Sequence, residues 1–287
     1  MSITHVDGAA SAPTRFTLSA GRGNVLLPAS TAPQGRLVGE YLFRGHRMRL
    51  ETSGDGSVLF PTDVGVSLLA ALNHDAVVRM AGKRVLDIGC GSGLYTVAVL
   101  LAGAATVSAL DVNPACVAAA IENVARNGLD VDRVQSLPVD LATVTIDEPW
   151  DLLVCNPPHF PHDPVYAGDD GVQAALVGGM DGRALYNVLL ARLDELLAPD
   201  GVLVLAHSSL TDIARTQAAL TAAGYRSRTV QICELDIPLR RFAEHRDVLL
   251  AHLYELRNQN RARFTGLRFE VHTLAITRAS DQEGGVG

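Results

Sequence analysis

The sequence predicts an α/β protein built on a doubly wound, mostly parallel sheet, with a short β-rich N-terminal extension. Three observations carry this. After Lys83, short apolar strand-like runs alternate regularly with runs of helical period. A glycine-rich turn follows the first of those strands directly. An acidic residue stands at or just past the end of each of the first three: Asp87, Asp111 and Asp140.

Four segments are expected: a loose arm rich in Ala, Ser, Thr, Gly and Pro (1–35), a small hairpin-and-helix region (36–80), the main domain (81–278) and a frayed tail (279–287). EYLFRGHRMRLE turns at Gly45 as a hairpin, and DVGVSLLAALNH spaces Val64, Leu68, Leu69 and Leu72 as one helical face opened by Asp63. The main domain begins with strand RVLDIG (84–89) and helix LYTVAVLLAG (94–103). Strand TVSALDV (106–112) is followed by a helix that opens at Pro114 and closes at Gly128. RVQSLPVD (133–140), WDLLVCNPP (150–158) and GVLVLAHSS (201–209) supply the next strands, with the helical face Leu185, Leu189, Leu193, Leu196 between the last two. A helix (about 210–224), a strand (RTVQICELDI), a helix (about 244–258) and the strand FEVHTLAITR complete the order.

Composition narrows the function. The chain has 287 residues, 48% of them hydrophobic and 19% charged, which excludes a disordered chain. No apolar run approaches the ~20 residues of a membrane span, and the N-terminus lacks a basic stretch leading into an apolar core, so a soluble, cytoplasmic protein is expected. The four scattered cysteines read as reduced thiols, with neither a disulfide frame nor a metal site. Net charge is −7, and Lys83 is the only lysine among 24 basic residues. That balance disfavours a nucleic-acid partner, which needs cations for its phosphates.

The turn Asp87-Ile88-Gly89-Cys90-Gly91-Ser92-Gly93 departs from the dinucleotide fingerprint G-x-G-x-x-G, its third glycine arriving one residue early. Asp87 repels a pyrophosphate but can accept hydrogen bonds from a cationic amino-acid ligand, and Asp111 can bind both hydroxyls of a ribose. The fourth strand ends in Asn156-Pro157-Pro158-His159. Prolines have no N–H, so their carbonyls and the Asn156 oxygen are expected as unshared acceptors that hold an NH₂ group whose nitrogen lone pair is delocalised.

Asp-x-Gly-Cys-Gly-x-Gly is similar to motif I of the class I S-adenosylmethionine methyltransferases, which implies a Rossmann-like sheet and S-adenosyl-L-methionine as cofactor, with S-adenosyl-L-homocysteine as product. The resemblance implies cofactor contacts at Asp87, Gly89, Gly91, Gly93, Asp111, Val112, Asp140, Leu141 and Asn156, with Asp140 facing the adenine amino group. Asn156-Pro157-Pro158-His159 resembles the (Asn/Asp)-Pro-Pro-(Tyr/Phe/Trp) motif of enzymes that methylate protein glutamine, adenine or guanine, and is the expected catalytic tetrapeptide; His159 stands in the aromatic place. Gly178-Gly179-Met180-Asp181-Gly182 and LLAPDGVLVLAH look like the corresponding segment of the release-factor type, although that type's helical N-terminal recognition domain has no counterpart here. The hairpin with FPTDVGVSLL resembles the small methyltransferase families, which would place Phe60 and Thr62 over the cofactor; the same residues also read as a hydrophobic staple and a helix start.

These features together lead to an expected N-methyltransferase. Because His159 replaces the stacking aromatic, the favoured acceptor is a small molecule such as an amino acid, with Glu244 and Asp247 reaching the pocket to hold it. The alternatives are a macromolecular acceptor (protein glutamine or an RNA base) and a non-catalytic scaffold that binds the cofactor; for Glu244 and Asp247 the alternative is a solvated helix face.

Overall fold

A computed structural model describes residues 14–17, 25–31, 35–74, 77–167 and 171–279. Within them the chain forms β1 (Thr14–Thr17), β2 (Val25–Thr31), β3 (Leu37–Phe43), β4 (His46–Thr52), α1 (Asp63–Leu72), β5 (Arg84–Ile88) and α2 (Leu94–Leu101). Next come β6 (Thr106–Leu110), α3 (Pro114–Arg126), β7 (Val134–Leu137), β8 (Trp150–Cys155), the single turn α4 (Gly171–Ala174) and α5 (Ala184–Leu196). The last are β9 (Leu197–Ser208), α6 (Ile213–Ala222), β10 (Tyr225–Asp236), α7 (Arg246–Asn258), β11 (Phe264–Thr265) and β12 (Arg268–Arg278).

The main sheet runs β1-β10-β12-β9-β8-β5-β6-β7, with β11 paired to β12. β7, β6, β5, β8 and β9 are mutually parallel, and β12 lies antiparallel between β9 and β10. This is the expected α/β, doubly wound, Rossmann-like architecture. From β5 the chain winds outward through β6 and β7, then returns to β8 on the other side. Strand order therefore reverses between β5 and β8, where open α/β sheets place their ligands. Ile88 pairs with Leu110 and with Cys155, so the next residues, Gly89, Asp111 and Asn156, leave the sheet side by side at one edge.

Side chains alternate across the sheet with period two. Val85, Leu152, Val154 and Val204 enter the core under α1, α2 and α7, while Leu86, Leu153, Leu203 and Leu205 enter the core under α5 and α6. The β3–β4 turn carries Arg44 and Gly45 at φ of 48° and 81°, the paired left-handed geometry of a two-residue hairpin. Asn123 of α3 donates to Glu51 O and accepts from Glu51 N, both at 2.9 Å, and so docks β4 on the main domain.

Two expectations are corrected here. The segment read as a loose arm contains strands: β1 pairs parallel with β10, and β2 antiparallel with β3. Each takes up the open hydrogen-bonding edge of a neighbour, a demand that local composition does not encode. The third strand stops at Leu137 rather than Asp140, because Pro138 cannot donate to the ladder. The tail from residue 280 lies outside the described residues.

Candidate functional site

A cavity of about 450 Å³ opens at the reversal point. It is lined from α1 and the segment before it (Phe60, Thr62, Gly65), from the turn after β5, from Asp111 to Asn113, from Asp140 and Leu141, and from Asn156 through His159. The turn residues Gly89 and Gly91 have positive φ, and a Cβ on Gly89 would meet nothing within 4 Å, so bare backbone faces open space. Gly93 serves packing instead. Its Cβ would sit 2.6 Å from the Ala120 Cα, so only glycine lets α2 and α3 approach here.

Asp87 is fully buried on β5. Its Oδ2 accepts from the Thr96 hydroxyl at 2.6 Å, while Oδ1 is buried without a hydrogen-bond partner. Burial pushes this carboxyl up to about 7, against the pull of Thr96. Asp111 is held on both oxygens, Oδ2 by the Gly91 amide and Oδ1 by the Asn113 amide, each at 3.0 Å. Burial raises it too, and the two backbone donors together with Cys116 oppose that rise. The Asn113 side chain caps α3 at Ala115 N and donates to Ser57 O, which ties the N-terminal region to the site. Asp140 accepts from Ala142 N at 2.8 Å, and Leu141 is buried beside it. Val112 lines the cavity from an exposed position. Phe60 is buried against Gly39, and Thr62 caps α1 by accepting from Gly65 N at 3.3 Å, the helix start expected of it; both residues also line the cavity.

Asn156 lines the cavity, and its Oδ1 is buried without a partner. The Pro157 carbonyl, expected to be unshared, instead accepts from His159 Nδ1 at 3.1 Å. That bond leaves the His159 Nε2 as the ring's acceptor, and it too is buried without a partner. Burial lowers His159 to about 4, so the ring is neutral at physiological pH. It packs among aromatic side chains, 4.7 Å from the Phe160 ring centroid and 6.0 Å from that of Phe269.

Glu244 and Asp247 do not join the site. Both are exposed, neither lines the cavity, and Asp247 pairs with Arg246 at 3.2 Å. The solvated-face alternative describes them. Sequence reasoning missed Tyr95, Thr96, Asn113 and Cys116. For the first two a signal exists: they are the only polar residues in the run LYTVAVLL, and such groups inside a buried helix need a partner.

Fold and site together define the class of methyltransferase whose cofactor is S-adenosylmethionine. The family model for ribosomal protein L11 methyltransferase (PrmA) matches residues 66–157. The chain is 31% identical over 150 residues to a candidate protein N5-glutamine methyltransferase of Methanocaldococcus jannaschii, covering 52% of this chain and 74% of that one. It is 31% identical over 166 residues to the human methyltransferase HEMK2, covering 57% and 76%. With the release factor glutamine methyltransferase of Rhodospirillum rubrum it shares 35% over 134 residues, covering 45% of this chain but 41% of that enzyme. Among solved structures, the Methanocaldococcus jannaschii tRNA m1G37 methyltransferase has a TM-score of 0.53 at 13% identity, covering 87% of this chain and 57% of that one. A candidate RNA methyltransferase from Pyrococcus horikoshii has a TM-score of 0.51 at 17% identity, covering 75% and 85%. These two structures share the fold.

The chain belongs to the Asn-Pro-Pro, protein-glutamine methyltransferase-like group of the class I S-adenosylmethionine-dependent methyltransferases, and it is an enzyme of that class.

The favoured small-molecule acceptor is thereby overturned, since the relatives are named for modifying protein. With it falls the partner expectation that puts a small molecule first and disfavours nucleic acid. The physical reason is that the carboxylates meant to hold a small zwitterion, Glu244 and Asp247, face solvent away from the cavity, and a histidine in the aromatic place does not by itself select a small acceptor. No helix among the described residues is long and apolar enough to cross a membrane.

Proposed function

We propose that this enzyme transfers a methyl group to the side-chain amide nitrogen of glutamine in a protein. The observation that carries the reading is the buried, unpartnered Oδ1 of Asn156, in an Asn-Pro-Pro tetrapeptide lining the cavity. An amide nitrogen is a poor nucleophile because its lone pair is delocalised. An acceptor that holds one of its N–H protons orients the nitrogen and favours localisation of that pair as charge develops. The relatives named for glutamine methylation support this acceptor over others.

The residues fit S-adenosylmethionine on structural grounds. The cavity has the size of a small-molecule site and Gly89 and Gly91 present bare backbone to it, while the unpartnered Asp87 Oδ1, buried just behind the lining, suits a cationic amino group reached directly or through water. Asp111 would hold the ribose hydroxyls, Asp140 and Leu141 the adenine edge, and Phe60, Thr62 and Val112 would cover it. The cofactor supplies an electrophilic methyl when bound. His159, neutral and packed among aromatics, shapes the acceptor end of the cavity rather than serving as a base.

The test is transfer of labelled methyl from S-adenosylmethionine to a bacterial release factor, ribosomal protein L11, ribosomal RNA and free glutamine. Label in a protein, located on a glutamine side chain by mass spectrometry, is expected. Label in RNA alone, or in free glutamine alone, overturns the proposal.

A further inference from the structure

We infer that Tyr95 is a positioning residue that fixes which end of the Asn156 amide is offered to the acceptor. The inference rests on the proposed role of Asn156 and adds a residue that neither motif contains.

Tyr95 is buried on α2, and its hydroxyl donates to the Gly65 carbonyl of α1 at 3.1 Å. A Cβ on Gly65 would lie 3.5 Å from the Tyr95 hydroxyl oxygen and 3.7 Å from Asn156 Nδ2, so phenol, amide and the α1 backbone converge on one point. A phenol has a single proton. Here it is committed to Gly65, so toward Asn156 the oxygen can only accept. The end of the amide that suits such a neighbour is the NH₂, and the nearness of Asn156 opposes the upward push that burial gives the phenol. Oδ1 is then left as the unpartnered acceptor that the structure records. With Nδ2 and Oδ1 exchanged, the tyrosine would face a second acceptor and the cavity would present a donor to the substrate N–H. Thr96, the next residue on α2, serves Asp87 in the same way through its 2.6 Å bond. One helix therefore orients both strand-end groups.

Tyr95→Phe, Asn156→Ala and the double variant test this. The assays are methyl transfer to the acceptor protein, calorimetric affinity for S-adenosylhomocysteine, and the ¹⁵N-labelled side-chain amide resonance of Asn156, assigned by its loss in Asn156→Ala. Tyr95→Phe is expected to lower kcat about tenfold, the worth of one hydrogen bond, with acceptor KM and cofactor affinity within about twofold. It should also shift the Asn156 amide resonance, and the double variant should be no slower than Asn156→Ala alone. An unshifted amide resonance overturns the inference whatever the activity. So does unchanged kcat in Tyr95→Phe beside an impaired Asn156→Ala, or independent, multiplying losses in the double variant. A shifted resonance with a fully active Asn156→Ala supports the positioning and removes the proposed role of Asn156 instead.

Discussion

Gly91 and Asp111, twenty residues apart, meet through a 3.0 Å hydrogen bond from the Gly91 amide to Asp111 Oδ2. The acid after β6 thus anchors the glycine turn after β5, and the Asn113 amide on Oδ1 fixes the carboxylate's plane. A group so held costs little to organise when a diol arrives.

Asp111→Ala is therefore expected to weaken S-adenosylhomocysteine binding by about 1–3 kcal/mol, through loss of charge-assisted bonds and a loosened turn. Asp111→Asn, which keeps one acceptor oxygen, should fall between. Titration calorimetry checks both, and an unchanged affinity in Asp111→Ala removes it from the ribose site.

Asn156→Ala should lower kcat by roughly 100-fold or more, the scale seen when a preorganised partner of the reacting group is deleted. Cofactor affinity should move by less than about threefold. Steady-state kinetics beside calorimetry separate these, and parallel loss of both would mark a structural role.

Asp87 links function to pH. Its carboxyl sits at about 7 in the fold against 3.8 for the unfolded value, so the folded state holds the proton more tightly. Stability from this group is complete below about pH 4 and is lost as pH rises towards 7. On the proposed role of Asp87 as partner of the cofactor's ammonium, cofactor binding has the opposite sign, and affinity should weaken as pH falls below about 7. Asp87→Asn is expected to raise stability at pH 8 by on the order of 2 kcal/mol of recovered burial cost, while cofactor affinity drops. Thermal melts and binding isotherms across pH 5–9 test both limbs.

Gly93→Ala should destabilise the protein by about 2–4 kcal/mol, combining a left-handed backbone at φ 82° with a Cβ pressed against the Ala120 backbone. Gly89→Ala, with a positive φ but open space, should cost less stability and affect cofactor binding more. Denaturant midpoints order the two variants, and equal midpoints would refute the packing role assigned to Gly93.

Much of the site was legible because its parts are local. The glycine turn, Asp111 and Asn156 each stand at a strand's carboxyl end, and strands announce themselves through runs of buried residues such as VLDI and LLVC. Parallel strands in register then bring their ends to one edge, so short motifs far apart in the chain converge on a single site. Residues whose meaning depends on a distant partner were not legible. β1 is a strand because β10, more than 200 residues later, leaves an edge open. The Pro157 carbonyl is occupied because His159 folds back onto it, Asp247 faces solvent because α7 buries Leu249, Leu253 and Leu256 instead, and Glu244 lies exposed in the turn before that helix.

The sequence by itself determined the class of the protein: the order of elements, the glycine turn with its acids, and the Asn-Pro-Pro at the fourth strand. Only the tertiary structure decided how those groups are poised. It buried Asp87 beside Thr96, held Asp111 on two backbone amides, and placed the Tyr95 hydroxyl beside Asn156. A hydrogen bond depends on a few tenths of an ångström and on angle, and those are set by packing between helices and strands rather than by any residue's neighbours in sequence.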